Sequence, residues 1–158
     1  MKKILLLLIC MSCFKSNQFE SNIYTNIRQL QKYIDLPVPI QNAKYEISIK
    51  KLRDGAQDCN EITEIYAILE FSEQDYIKII ELANEKYNFP LVVNKDYCRD
   101  WYPNYIKEYF IEDSKELYKI ASSYEGHKFL KENIIGNVIY FPTQNNTICY
   151  IISICSNQ

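Results

Sequence analysis

Residues 43–52 alternate cleanly, with Tyr45, Ile47 and Ile49 on one side and Glu46, Ser48 and Lys50 on the other, the pattern of a half-buried strand. A turn-rich stretch, residues 53–60, separates it from a second alternating run over 62–71 that turns Ile65, Ala67, Leu69 and Phe71 inward. The two runs predict an antiparallel hairpin. Ser72 and Asp75 then stand in capping-box spacing ahead of Tyr76, Ile79, Ile80, Ala83 and Tyr87, which predicts a helix ending near Asn88. Ile23, Ile27, Leu30 and Ile34 suggest an earlier helix over 21–34, stopped by Pro37 and Pro39. After the helix ending near Asn88 the pattern gives a short strand over 89–93, a loop over 94–102, a short helix from Pro103 to Phe110, and a helix over 114–124 with Leu117, Ile120, Ala121 and Tyr124 on one face. Apolar runs at 134–141 and 147–155 flank Pro-Thr-Gln-Asn-Asn and predict a closing hairpin. Strands, then helices, then strands point to an α+β fold: an antiparallel sheet of two hairpins with helices packed on one face.

The first thirteen residues follow another logic. Lys2 and Lys3 precede an apolar run, Ile4 to Met11, and then Ser12 and Cys13. Eight residues of helix reach about 12 Å, against a hydrocarbon core of roughly 30 Å, so the run is an export signal rather than a span. Its end, Cys10-Met11-Ser12-Cys13, resembles the lipobox of bacterial lipoproteins, a resemblance that implies cleavage after residue 12 and acylation of Cys13. Residues 13–22 then read as a polar tether and 23–158 as one domain. The partner this implies is a lipid bilayer and the location the cell envelope, and, if the cell is Gram-negative, its outer membrane. The domain itself is similar to uncharacterised exported bacterial proteins in Leu36-Pro37-Val38-Pro39, in the strand from Ala43-Lys44-Tyr45, in Ala67 to Asp75 and in the tyrosine-containing final hairpin. That resemblance implies no activity.

Composition narrows the function classes. At 158 residues, 47% hydrophobic and 24% charged, the chain builds one ordinary globular core. Three glycines argue against a nucleotide-binding glycine loop and any cofactor it would hold. The basic residues are dispersed, so no nucleic-acid partner is expected. Removing residues 1–12 takes Lys2 and Lys3 and leaves 16 basic against 20 acidic residues, net −4. The 14 tyrosines suit strand and core positions and need no sugar or base platform.

Candidate chemistry is sparse. His127 is the one histidine, which rules out multi-histidine metal sites. Glu61 and Glu64, or Glu112 and Asp113, read as a solvated face. The densest polar cluster is Asp96, Cys98, Arg99, Asp100 and Trp101, on a loop where binding residues concentrate, and the sequence nominates Asp96, Arg99, Asp100 and Trp101 as a binding loop. Cys149 and Cys155 lie on one strand, roughly 20 Å apart, and cannot bridge each other. Two complete pairings remain, each joining the last strand to Cys59 and Cys98; the alternative, preferred here, is a single Cys59–Cys98 disulfide with two quiet thiols on the strand. These features favour a non-enzymatic module that binds a protein partner in the envelope, such as an inhibitor or immunity protein. The competing reading is a small enzyme using Cys98 or the loop acids.

Overall fold

The computed structural model describes residues 22–51, 61–82, 86–87, 89–132 and 134–156. Cys13, Cys59, the expected leader and most of the expected tether lie outside them. Both predicted hairpins are present: β2 (Asn42–Lys51) pairs with β3 (Glu61–Glu70), and β8 (Gly136–Pro142) pairs with β9 (Thr147–Ser156). Antiparallel pairing of β3 with β9, from Glu61–Ser156 to Glu70–Thr147, fuses them. Two-residue edge strands, β1 (Ile23–Tyr24) and β7 (Tyr124–Glu125), complete a six-stranded sheet in the order β1-β2-β3-β9-β8-β7. The closing turn works because Asn145 and Asn146 both take positive φ, 58° and 54°, and Thr147 N–H donates to Gln144 O at 3.2 Å. Asparagine tolerates that conformation, and the mirror-image turn matches the twist of the strands.

A second, three-stranded sheet was not expected. β4 (Leu91–Asn94) and β5 (Phe110–Glu112) flank β6 (Leu117–Ile120). The predicted helix over 114–124 is therefore wrong. Its apolar spacing suits a helix, but Ile120 pairs with Leu91 on one side and Phe110 on the other, and pairing to two strands overrides local periodicity. Helix 21–34 shrinks to α1 (Ile27–Leu30), capped by Asn26, because Ile23 and Tyr24 pair with β2. Helix 72–88 stops at α2 (Glu73–Glu81), and Lys86 and Tyr87 are bonded to Tyr124 and Ser123 instead. Ser72 caps α2 as predicted, accepting from Asp75 N at 3.2 Å. The 103–110 segment yields only α3 (Asn104–Lys107).

Alternate residues of β3 enter different cores. Ile65, Ala67 and Leu69 join Leu30 of α1 and Ile79 of α2 in one cluster, whereas Tyr66 and Ile68 join Ile106 of α3 and Val93, Phe110 and Ile120 of the small sheet in another. The helices therefore do not share one face. β3 is buried continuously from Thr63 to Leu69, because both faces of the large sheet are covered.

One row across the first face is almost wholly tyrosine: Tyr24, Tyr45, Ala67, Tyr150, Tyr140 and Tyr124 are successive cross-strand partners. Tyr150 stacks on Tyr140 at 5.4 Å and Tyr140 on Tyr124 at 5.5 Å. The Tyr140 and Tyr150 hydroxyls are buried without a hydrogen-bond partner among the described residues. A buried unpaired hydroxyl costs about 1–3 kcal/mol, so Tyr150→Phe should leave stability unchanged or raise it by about 1 kcal/mol. Urea unfolding decides this, and a loss above about 1 kcal/mol would reveal a water bonded there.

Candidate functional site

The 94–102 loop folds down onto the second face of the large sheet. It leaves β4 through a 3-10 turn, Lys95–Tyr97, closed by Cys98 N–H donating to Lys95 O at 3.0 Å, and ends on Tyr102, which is buried in the second core. Trp101 packs edge-on against Tyr102 with ring centroids 4.7 Å apart. Between these anchors Arg99 and Trp101 reach the same carboxylate. Arg99 Nε donates to Glu46 Oε2 at 3.0 Å, its Nη2 donates to Glu46 Oε1, and Trp101 Nε1 donates to Glu46 Oε2 at 2.8 Å.

Glu46 belongs to β2, on the face the alternation assigned to solvent. The loop covers it, leaving it 4% exposed. Fork-like pairing from guanidinium to carboxylate is the strong, orientation-fixing form of this contact. Arg99 Nη1 also donates to Asp96 O at 3.0 Å, and the guanidinium lies 4.7 Å from the Tyr66 ring centre. Burial opposes the Arg99 charge, but the Glu46 bonds and charge outweigh it and hold Arg99 above its usual pKa. Lys44 stands 5.2 Å over the Trp101 ring.

Two clefts flank this clamp. The first, about 390 Å³, is lined by all four nominated loop residues, Asp96, Arg99, Asp100 and Trp101, together with Cys98 and Glu46. The second, about 480 Å³, lies between the loop and β2–β3, with Glu46, Ser48, Glu64 and Tyr66 along the sheet and Asp96 and Arg99 opposite. Glu64 is itself buried, accepting from Tyr66 Oη at 2.7 Å and pairing with Lys50 at 2.8 Å. Glu112 and Asp113 carry their own lysines, Lys95 and Lys119, as a solvated face would.

The proposed Cys59–Cys98 bridge is not formed: Cys98 is a free thiol, as is Cys149. Cys155, expected as a quiet thiol, is disulfide-bonded. The loop is tied down by Glu46 instead of sulfur. Burial pushes the Cys98 thiol above its usual value, with Lys107 opposing and Asp100 adding to the shift, so the thiol stays protonated at neutral pH and is a poor nucleophile. The cleft it lines contains no histidine; His127 stands beside Glu125, 3.5 Å from its carboxylate. Among the described residues no group of three His, Cys, Asp or Glu side chains is placed to hold a metal ion.

Sequence reasoning found the loop and missed its counterpart. Glu46 is 53 residues from Arg99, and nothing local distinguishes it from Ser48 or Lys50. The one available signal was that an arginine on a binding loop seeks a carboxylate, without saying which. No known protein family, curated protein or solved structure matches the chain. The arrangement of the site therefore carries the functional argument.

Proposed function

We propose that this protein is an exported lipoprotein, cleaved before Cys13 and held on the cell-envelope bilayer by its acylated cysteine, in the outer membrane where the cell is Gram-negative. Its domain is a non-enzymatic binding module, an envelope inhibitor or immunity protein being the kind of role that fits. The observation that supports this reading is the Glu46 clamp. Three side-chain hydrogen bonds lock the 94–102 loop to the sheet, so the loop presents Asp96 and Asp100 with little ordering cost on binding. A Cys98 thiol held protonated by burial, in a cleft without histidine, by contrast, offers no activated nucleophile.

Radiolabelled palmitate is expected to enter the wild-type chain and not Cys13→Ser; equal labelling of both overturns the anchor. Capture from native envelopes with the full chain is expected to retain one partner that Asp100→Lys releases. Equal retention by both overturns the role of the loop.

A further inference from the structure

The open edge of the large sheet runs into the second cleft. Among the described residues β1 pairs only with Tyr45 and Glu46, whereas β2 continues to Lys51. The β2 backbone from Ile47 onward thus has β3 on one side and no described strand on the other. Unpaired edge amides and carbonyls are a template for another extended chain. Asn22, Ile47, Ser48 and Ile49 all line the cleft, which places that edge inside a concave site. Ile49, 58% exposed, supplies apolar surface beside it.

The charges of the cleft are nearly all spoken for. Glu46 is held by Arg99 and Glu64 by Lys50. Lys50 would otherwise discourage strand addition at an edge, as lysines there commonly do. Asp96 is left: its carboxylate makes no hydrogen bond or ion pair among the described residues, and it lines both clefts. The site therefore combines a strand edge that is unpaired among the described residues with one uncompensated negative charge.

We infer that this cleft binds an extended peptide segment of a partner protein, added as a strand along β2 in continuation of β1, with a basic side chain of that segment set against Asp96. The inference rests on the binding-module reading and gives its partner a chemistry.

The probe is the blocked pentapeptide Ac-Thr-Val-Arg-Val-Thr-amide, titrated into the full chain. A version with Glu in place of Arg tests the charge, and a version N-methylated at alternate residues keeps the side chains but loses backbone donors. Trp101, the single tryptophan, reports by fluorescence from the neighbouring clamp, and amide hydrogen exchange reports on β2. The Arg peptide is expected to slow exchange of the outward-facing amides between Ile47 and Lys51. It should bind about fivefold more tightly than the Glu peptide, as suits one exposed charge pair, and Asp96→Asn should erase that preference. Binding that survives N-methylation, a preference for Glu, or no binding by either peptide overturns the inference. So does protection of these amides in the free chain that is relieved by deleting residues 14–21, which would make the chain's own segment the occupant. A partner that depends on Asp100 but is not displaced by excess Arg peptide overturns the strand site and leaves the binding-module reading standing. Peptide binding at β2 with no partner released by Asp100→Lys leaves the strand site standing and overturns the role of the loop.

Discussion

Arg99→Ala is expected to lower the unfolding free energy by about 3–5 kcal/mol, the range for breaking a buried ion pair from one side. The cost comes less from the lost attraction than from what remains. Glu46, with a side chain 5% exposed, would keep a charge under the loop with a single bond from Trp101 to stabilise it. Arg99 is 24% exposed, so water replaces part of what it loses; Glu46 has no such access. The double variant Arg99→Met/Glu46→Gln should recover much of the loss, because it removes the stranded charge while roughly keeping the volume. Urea unfolding at pH 7 measures all three chains. A loss below about 1 kcal/mol for Arg99→Ala would place the pair among solvent-screened surface bridges and remove the basis for a rigid loop.

On the opposite face, Ile79→Ala is expected to cost about 2–5 kcal/mol, the transfer and cavity terms of a fully buried aliphatic side chain. Ile79 is 0% exposed and shares a core cluster with Leu69 and Phe71, with Ile80 packed against it, as the helix and strand patterns together required. Ile77, two residues earlier and 48% exposed, supplies the control: Ile77→Ala should stay within about 0.5 kcal/mol of wild type. Equal losses at both positions would mean that α2 does not present Ile79 to the sheet.

Legibility followed the range of the interaction. Both hairpins were readable because a period-two pattern and a turn signal lie within about thirty residues of each other, and α2 was readable because Ser72 and Asp75 satisfy its first turn locally. The segment over 114–124 was not. Leu117, Ile120 and Tyr124 fit a helix by spacing alone, and only strands at 91–94 and 110–112 decide otherwise. Glu46 illustrates the same limit at the site. Alternation correctly put it opposite Tyr45, but whether that face meets water or a loop depends on residues some fifty positions away. The disulfide expectation failed for a related reason, since spacing along one strand excludes a pair but cannot bring the correct pair together.

The seam between β3 and β9 has a kinetic consequence. Its two strands are the most thoroughly buried in the sheet, yet they are far apart in sequence, with Glu61 meeting Ser156 and Glu70 meeting Thr147. Each hairpin closes a short loop, so each forms readily on its own, whereas joining them bridges a separation of 77 residues at its shortest, from Glu70 to Thr147. A chain emerging from its N-terminus therefore holds a finished β2–β3 hairpin with one naked edge until its last ten-residue strand arrives. During that interval the edge of β3 is open to any other extended chain, including a second copy. Slow synthesis or delayed release of the C-terminus lengthens that exposure until β9 reaches a place already prepared for it.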